Sequence, residues 1–305
     1  MALTLGHTWA YAQPLQDQSP DGIPALMIRL PLRIRLFALV GLLMALSVGP
    51  ARVAAQDMAP AADAARPIII ASDPWCPYAC DPATDGREGY MVELAREIFQ
   101  AAGYRVEYRV VNFAMLKRML HDGSATAVPG AATDMGGALL LPALAQGNSA
   151  NAVALQREKD FTYSKPDDFG PYRVGVIKDY AYGGDVQRYI DQHHANPARV
   201  RVLSGFGYSQ LVQGLRQIQG GGLDLLLDDY NVLRWQLRRL ALDDQMRVVS
   251  LKDDADLFVG LSRSDARAPL LARLLEDGTR RLRAEGRFLA ILARYGLHEQ
   301  PMPER

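Results

Sequence analysis

PIIIASDPWCPYAC at residues 67–80 and GYMVELAREIFQAAG at residues 89–103 decide the fold of this chain. The short β-branched run at 68–71 predicts a buried strand. Apolar residues in the second stretch recur at helical spacing, and Gly103 stands where a helix C-cap belongs. Strand, loop and helix in this order predict the first unit of a parallel α/β sheet. Because ligands of such sheets bind at the carboxyl ends of the strands, we expect the loop at 73–82 to face a binding site.

The composition is that of an ordinary globular protein. Of the 305 residues, 49% are hydrophobic and 22% are charged, which is enough for one large or two medium domains. The formal net charge is +0, so the charge gives no reason to expect nucleic acid or an anionic membrane surface as a partner.

The first 55 residues are a different kind of sequence. Three arginines precede an apolar run at 36–48, and small residues follow it at 53–55. A basic region, a short apolar core and a small-residue cleavage site are typical of a secretory signal peptide. The apolar run is too short to span a bilayer comfortably, so an N-terminal anchor helix is the less favoured alternative. We expect residues 1–55 to be removed and the mature protein to reside in the periplasm.

Two further segments flank this signal peptide or lie within it. Residues 1–26 do not fit the short basic region of a signal peptide, which favours Met27 over Met1 as the true start. Residues 56–65 are rich in alanine, proline and aspartate and are predicted to be a mobile leader. The signal peptide has no cysteine at its end, so a lipid anchor there is not expected.

The chain has two cysteines, Cys76 and Cys80, and both lie in the loop after the first predicted strand. An exported protein matures in an oxidising compartment, where such a pair forms a disulfide. We predict that bond, with a modest effect on stability because the ring is short. The spacing C-x-x-x-C differs from the C-x-x-C redox motif, and two sulfurs without nearby histidines make a poor metal site. No metal or other cofactor is therefore expected.

The remaining pattern indicates two α/β series and a helical tail. Strands and helices alternate through residues 68–130 and again through 172–251, without a polar linker between the two series. Residues 246–251 and 257–261 are predicted as two separate strands. The chain then closes with two helices, at 269–284 and 286–295. This organisation indicates two lobes joined by more than one crossing of the chain.

Several local patterns occur in an order that resembles a known family. They are Asp73-Pro74-Trp75 with Pro77-Tyr78, Gly89-Tyr90-Met91-Val92-Glu93-Leu94, Val174-Gly175-Val176, Leu223-Asp224 through Asp229, and Gly278 with Gly286 and Tyr295-Gly296. Together, their order and spacing resemble the extracellular solute-binding protein family 3, the periplasmic substrate-binding components of ABC transporters. The resemblance covers residues 66–298.

This resemblance implies a fold, a mechanism and a partner. The fold is α/β, a two-lobed type II periplasmic-binding-protein fold with a two-strand hinge, in which lobe 1 comprises 66–147 and 254–300 and lobe 2 comprises 148–253. The resemblance further implies a monomer that captures a small polar solute between the lobes and delivers it to an ABC permease in the inner membrane. Closure of the lobes is then the function, so an enzyme is not expected.

The resemblance also indicates how one end of the ligand is held. Amino-acid binders of this family hold the α-ammonium with the aspartate that ends a strand of the second lobe. Asp229 lies five residues after Asp224, which is the family spacing. The alternative is that Asp228 or Asp229 simply caps the next helix, and the sequence leaves both open.

The family's carboxylate-binding arginine is not clearly matched. A register without gaps puts residues 134–137 where the arginine should be and makes 151–157 a crossing strand. A second register, with a long insertion after Gly130, would use Arg157. We favour the gapless register, which removes the bidentate clamp for a carboxylate. That argues against a free amino acid and favours a cationic or hydroxylated ligand.

Aromatic and charged residues at the predicted strand ends complete the candidate site. Trp75 and Tyr78 are expected to stack on the ligand or to make cation–π contacts, with packing over the disulfide as the alternative. Residues 178–180 occupy the equivalent place after the first strand of the second lobe. The candidate ligand-binding residues are Asp73, Trp75, Tyr78, Glu88, Tyr90, Gly130, Ala131, Lys178, Asp179, Tyr180 and Asp229.

Two other functions are compatible with the same fold. One is a periplasmic enzyme that resembles a cyclohexadienyl dehydratase. It would need a positioned acid/base pair, for which Glu88, Glu93 and Asp229 are the candidates. The other is an accessory binding protein of a periplasmic oxidoreductase. A ligand screen and the genome neighbours would discriminate among the three functions.

Overall fold

The computed structural model describes residues 66–132 and 137–298, and within them it contains nine strands and eight helices. The strands are β1 (Ile68–Ser72), β2 (Val106–Val110), β3 (Ala127–Ala131), β4 (Leu139–Leu140), β5 (Gly147–Gln156), β6 (Val174–Ile177), β7 (Val200–Leu203), β8 (Leu225–Asp229) and β9 (Met246–Ser262). The helices are α1 (Pro82–Asp85), α2 (Tyr90–Ala101), α3 (Phe113–Asp122), α4 (Gly184–His193), α5 (Ser209–Gln219), α6 (Tyr230–Arg239), α7 (Ala268–Ala284) and α8 (Arg287–Ala293). A 3₁₀ turn lies at Pro166–Phe169.

The opening strand and helix form where the sequence predicts them. β1 is buried along its whole length, and α2 buries the face that carries Met91 and Leu94. The φ of Gly103, just after α2, is 87°, a left-handed backbone that suits glycine. The next helix, α3, is capped by Asn112, whose side chain accepts from the Met115 amide at 2.8 Å.

A single sheet order joins the two α/β series. It runs β2-β1-β3-β9-β5-β8-β6-β7, with β4 paired to β9. In the first series β1 is parallel to β2 and β3, and in the second series β6 is parallel to β7 and β8. The antiparallel strands β5 and β9 stand between these two groups and are the two chain crossings. The predicted two-lobed α/β architecture with a two-strand hinge is therefore confirmed.

β9 corrects the prediction of two separate strands near the end of the chain. It is unbroken from Met246 to Ser262 and pairs with β5 along almost all of that strand before it pairs with β3 and β4. Residues 252–255 are exposed, so the buried alternation that identifies a strand is lost there. Lys252 has a φ of 60° where the pairing with β5 shifts register, and the pairing resumes at Asp254, so contact with β5, rather than a local signal, continues the strand.

The C-terminal helices pack back on the first series. Gly278 of α7 approaches α2 closely, since a Cβ at this position would stand 2.6 Å from the Ile98 side chain. After α8, the Tyr295 hydroxyl and the Arg294 guanidinium both donate to the Glu93 carboxylate. A close helix contact and polar bonds therefore anchor the tail to α2.

Some sequence-based predictions fall outside the described residues. These are the signal peptide at 1–55, the choice between Met1 and Met27, and the mobile leader at 56–65, and all three remain predictions. The predicted lobe boundaries also remain a proposal. Among the helices of residues 66–132 and 137–298, none combines the length and the apolar character needed to cross a membrane.

Candidate functional site

A short disulfide-closed loop follows β1 and carries two aromatic side chains. The predicted bond between Cys76 and Cys80 is present, with a Cα–Cα distance of 4.4 Å. The Trp75 amide donates to the Ala79 carbonyl at 2.6 Å, so the loop turns back on itself. The rings of Trp75 and Tyr78 stack with their centroids 4.4 Å apart. The loop therefore presents an aromatic pair at the carboxyl end of β1.

Trp75 reaches from this loop to the second series. Its indole Nε1 donates to Asp228 Oδ1, at the end of β8, over 3.1 Å. The ring lies close to Gly130, where a Cβ would stand 2.9 Å from the ring atom Cζ3. The φ of Gly130 is 79°, which glycine adopts without strain. Glycine at this position therefore gives the indole room between β3 and β8.

Tyr78 makes a second connection to β8. Its hydroxyl lies 3.1 Å from Asp229 Oδ2 and 3.0 Å from the Asn148 carbonyl. It also accepts from the Asn231 side-chain amide at 2.9 Å. Burial raises the pKa of this phenol, and the nearby Asp229 charge raises it further, so the hydroxyl keeps its proton. The phenol is a fixed hydrogen-bond donor between the two series.

Asp229 is the N-cap of α6 and has donors on both carboxylate oxygens. Oδ1 accepts from the amides of Asn231 and Val232 at 2.8 and 3.0 Å. Oδ2 accepts from the Ser149 hydroxyl at 2.7 Å and from the Ala150 amide at 3.2 Å. Burial raises the pKa of Asp229 to about 6, although these bonds oppose the rise. These surroundings are those of a helix cap, the alternative that the sequence left open.

Asp228 is only 2% exposed and has fewer donors than its neighbour. Its Oδ1 accepts from the Trp75 indole and, at 2.7 Å, from the Asp229 amide. Its Oδ2 has no hydrogen-bond partner among the residues that the structure describes. Burial raises the pKa of Asp228 to about 7, and the charges of Asp229 and Asp73 add to the rise. A buried carboxylate oxygen without a donor is costly, which distinguishes this atom within the site.

Asp73 directly follows β1 and meets Tyr180, which follows β6. The Tyr180 hydroxyl donates to Asp73 Oδ2 at 3.2 Å, and Asp73 is 7% exposed. Burial raises the pKa of Asp73 to about 6, and the bond from Tyr180 opposes that rise. The Tyr180 ring also lies near Phe113, at the start of α3, with centroids 6.1 Å apart. The carboxyl ends of β1 and β6 therefore meet at this point.

A further contact between the two series lies beside the aromatic loop. The hydroxyl of Tyr208, just before α5, donates to Asp85 Oδ2 at 2.7 Å, and Arg239 Nε lies 3.6 Å from Asp85 Oδ1. A cavity of about 690 Å³ opens here. Its lining includes Pro74, Thr84, Phe206, Ser209, Arg216 and Arg239. The gap between the series is therefore bridged at one place and open at another.

The structure brings six of the predicted ligand-binding residues to one edge of the sheet. They are Asp73, Trp75, Tyr78, Gly130, Tyr180 and Asp229. At this edge the carboxyl ends of β1, β3, β6 and β8 converge, which is where such sheets bind ligands. The role of these residues in ligand binding remains a proposal.

Three predicted residues of the first series are engaged elsewhere or buried. Both Glu88 carboxylate oxygens accept from the Arg96 guanidinium at 2.7 Å. Tyr90 is buried in the core, with its ring centroid 5.5 Å from that of Tyr78. Ala131 is likewise buried, within β3. These side chains support the site from behind and do not line its surface.

The remaining predicted residues lie towards solvent or away from the edge. Lys178 and Asp179 are exposed. Arg157 follows β5 and donates to the carbonyls of Asp244 and Met246, at 3.1 and 3.3 Å. Its position agrees with the gapless register, in which β5 is a crossing strand, and its guanidinium is committed to backbone acceptors.

Sequence reasoning missed four residues that shape the site, namely Asp228, Ser149, Asn231 and Tyr208. Asp228 was passed over because the family spacing selects Asp229. Two acids in succession at the end of an apolar strand were a usable signal, since neighbouring strand residues face opposite sides. Ser149 and Tyr208 contact the site only through long-range packing, for which the sequence shows no local signal.

Cys76, Cys80 and Asp85 place their polar or sulfur atoms within 4.8 Å of one another. The two sulfurs are bonded together, so neither is a thiolate, the form that binds metal ions. The arrangement is therefore a disulfide beside a carboxylate, and we assign it no metal.

Comparison with solved structures identifies the fold. A histidine kinase sensor domain with similarity to periplasmic binding proteins superposes with a TM-score of 0.62 at 21% identity, covering 78% of this chain and 100% of its own. A structure from work on glutathione import via GshT and the cystine ABC importer TcyBC of Streptococcus mutans gives 0.63 at 15% identity, with 77% and 97% covered. The amino acid ABC transporter substrate-binding protein AbpA from Streptococcus pneumoniae, bound to L-arginine, gives 0.57 at 15% identity, with 75% and 93% covered.

These likenesses show that the chain has the type II periplasmic-binding-protein fold. The resemblance inferred from the sequence patterns is therefore confirmed at the level of the fold. The sequence itself matches no protein-family model and no curated protein.

Proposed function

We propose that this protein is a periplasmic solute-binding protein, which captures a small polar solute between its lobes and delivers it to an ABC-type importer. The fold supports capture by closure of two lobes. Structures with the same fold include the substrate-binding protein of an amino acid ABC transporter. The predicted signal peptide supports export to the periplasm. The proposed partner is an ABC permease of the inner membrane, and the protein is proposed to act as a monomer.

One observation carries this proposal: donors of each series bind carboxylates of the other at the strand ends. The Trp75 indole of the first series donates to Asp228 of the second. The Tyr180 hydroxyl of the second series donates to Asp73 of the first. Because each bond spans the two lobes, opening the lobes breaks it and frees its acceptor. Exchangeable donors and acceptors at the meeting place of two lobes are what a closing binding protein requires.

We place the solute at this edge. Asp73, Trp75, Gly130 and Tyr180 are proposed to face it, together with Asp228. Tyr78 and Asp229 stand behind this surface, because their polar atoms already bond to protein groups. The proposed site thus keeps four of the eleven ligand-binding residues predicted from the sequence and adds one carboxylate.

The enzyme alternative gains no support from the three carboxylates named for it. Glu88 is ion-paired with Arg96, Asp229 caps α6, and Glu93 accepts from the Tyr295 hydroxyl. Each carboxylate is held by protein donors, which gives no reason to assign it a proton-transfer role. Within the described residues, no observation favours the oxidoreductase-associated role either.

A ligand screen with a closure measurement tests the proposal. The purified mature protein is screened by thermal shift against small polar metabolites, and each hit is confirmed by calorimetric titration. Small-angle scattering then compares the radius of gyration with and without the confirmed solute. We expect the radius to fall, because the solute selects the closed arrangement of the lobes. A solute that binds while the scattering curve stays unchanged would contradict capture by closure.

A further inference from the structure

We propose that the solute is an organic ammonium cation and that Asp228 and Asp73 receive its positive charge, while Asp229 serves the fold. The inference rests on the proposed solute-binding function and adds the chemical class of the ligand. It differs from the family spacing, which selects Asp229. The bonding of Asp229, the unpartnered oxygen of Asp228 and the donors that cover the two carboxylates all support it.

Asp229 has no acceptor position to spare for a solute. Its Oδ1 holds the first turn of α6 through two backbone amides, and its Oδ2 holds Ser149 and Ala150 of β5. An ammonium group could reach this carboxylate only by displacing donors that fix a helix and a hinge strand. A residue bonded in this way positions other groups and does not exchange partners with a ligand.

Asp228 Oδ2 is a buried acceptor that lacks a donor. Two other buried carboxylate oxygens without a hydrogen bond, on Asp85 and Glu97, each have an arginine nitrogen nearby, Arg239 at 3.6 Å and Arg287 at 2.8 Å. Among the described residues, Asp228 has no such cation. Asp228 lies at the end of β8, where the lobes meet, so a bound solute can supply the missing positive charge.

The side chains that now donate to the two carboxylates are neutral and come from the opposite lobe. Trp75 Nε1 lies 3.1 Å from Asp228 Oδ1, and the Tyr180 hydroxyl lies 3.2 Å from Asp73 Oδ2. Both bonds break when the lobes part, so both carboxylates become available together. An ammonium group forms stronger, charge-assisted hydrogen bonds with carboxylates than an indole or a phenol does. The cation can therefore displace these donors.

The electrostatics of the site favour a positively charged ligand. Burial raises the pKa of Asp73, Asp228 and Asp229, and the charges of Asp229 and Asp73 raise the pKa of Asp228 further. Of the described lysines, arginines and histidines, none is ion-paired with these three carboxylates. Other buried acids are paired, as Asp265 is with Arg267 at 2.7 Å. A buried group of acids without its own cation favours a ligand that brings one.

Aromatic rings around the carboxylates select an organic cation over a metal ion. Trp75 and Tyr180 flank the two acids, and Phe113 lies beside Tyr180. Ring faces attract ammonium groups and their alkyl substituents, whereas divalent metal ions prefer several oxygen ligands. The same site repels a carboxylate on the ligand, because no arginine or lysine of residues 66–132 and 137–298 is bonded into it. The favoured ligand is therefore an amine without an acid group.

Calorimetric titration with matched probes tests this class. Agmatine is L-arginine without its carboxylate, and neohexyl alcohol is the uncharged isostere of choline. At about pH 8, where the acids are mostly ionised, we expect agmatine or choline to bind the mature protein. L-Arginine and neohexyl alcohol should each bind at least about 30-fold more weakly than their partners, one through carboxylate repulsion and the other through the missing charge.

Asp228→Asn tests the residue assignment. The amide keeps the shape and the acceptor for the Trp75 indole but removes the charge. We expect affinity for the bound cation to fall by at least about 30-fold. Asp167→Asn is the matched control, because that side chain is 84% exposed and lies on a distant turn, and it should leave affinity unchanged. Thermal unfolding verifies that both variants are folded.

The outcomes of these experiments distinguish three claims: the assignment of Asp228, the cation class of the ligand, and solute binding itself. Equal cation affinity in the native protein and in Asp228→Asn overturns the assignment of Asp228. Failure of both agmatine and choline, with closure on a neutral or anionic metabolite, overturns the cation class and leaves solute binding standing. Failure of every probe and every metabolite in the screen overturns both.

Discussion

Asp228 couples the stability of the ligand-free protein to pH. Its pKa is raised from an ordinary value of 3.8 to about 7 in the folded protein. A carboxyl with a raised folded pKa contributes stability that is fully present below the unfolded pKa and is lost as pH rises through the folded pKa. Asp73 and Asp229, raised to about 6, act in the same direction. These groups should therefore lower the free energy of unfolding between about pH 4 and pH 7.

Asp228→Asn should remove part of that loss. The neutral amide places no unpaired charge in the buried site, so the free energy of unfolding of the variant falls less as pH rises. At about pH 8 we expect it to be more stable than the native protein by on the order of 2 kcal/mol, with little difference at about pH 4. Urea unfolding at both pH values measures the difference, with Asp167→Asn as the surface control. A variant less stable than the native protein at the higher pH would contradict this account.

Gly130→Ala separates backbone strain from crowding of Trp75. A Cβ at Gly130 meets the indole, whereas one at Gly86, where φ is 69°, meets no atom within 4 Å. Gly86→Ala should therefore cost about 1 kcal/mol of stability through strain alone. Gly130→Ala should cost about 1 to 2 kcal/mol more and also weaken solute binding. Chemical denaturation and calorimetry compare the two variants, and equal costs would exclude crowding of the indole.

The disulfide-closed loop is the element that holds Trp75 in place. Its cysteines are separated by 4 positions, and a ring of this size contributes about 2 kcal/mol in the chain-entropy account. Since Cys76 and Cys80 are the only cysteines, a thiol reductant acts on this bond alone. We expect reductant to lower the Tm of the native protein and to weaken solute binding. The double variant Cys76→Ser/Cys80→Ser should show the lower Tm with or without reductant, and a further shift would rule out the disulfide as the cause.

Local signals predicted most helices and strands of this fold. β1 contains the β-branched run predicted as a strand, and α2 ends just before Gly103, the predicted C-cap. β9 was divided wrongly because residues 252–255 carry no strand signal of their own. The strand continues through them because Asp254 and Ala255 pair with β5, about 100 residues earlier in the chain.

The candidate site was less accessible to sequence reasoning than the fold. Trp75 and Tyr78 were found because they follow the first strand of a parallel sheet. Choosing between Asp228 and Asp229 requires the pairing of β8 with β5, in which Asn151 stands opposite Asp229. That pairing brings Ser149 and Ala150 to Asp229 and leaves its neighbour with fewer donors. The sequence shows the two acids but not the strand beside them.

The contact of Tyr208 with Asp85 favours closed lobes in the molecule as a whole. The two residues are 123 positions apart and belong to different series. Tyr208→Phe removes the hydroxyl and should shift the ligand-free protein towards open lobes, with a several-fold loss of solute affinity. Small-angle scattering should show a larger radius of gyration. Tyr172→Phe, whose lost bond to the Asp160 carbonyl lies within the second series, is the control and should leave the radius unchanged.

Trp75 also provides a fluorescence signal for the motion of the lobes. The chain has three tryptophans, and Trp9 lies in the segment predicted to be removed on export. Trp235 packs against Tyr295 of the other proposed lobe, with ring centroids 6.2 Å apart, so its surroundings also change when the lobes move. When the bond to Asp228 breaks, the Trp75 indole meets water and its fluorescence shifts to the red. In mature Trp235→Phe, Trp75 is the tryptophan that remains, so the emission wavelength would report how far the lobes have opened. The variant would then report binding of the solute by its own fluorescence.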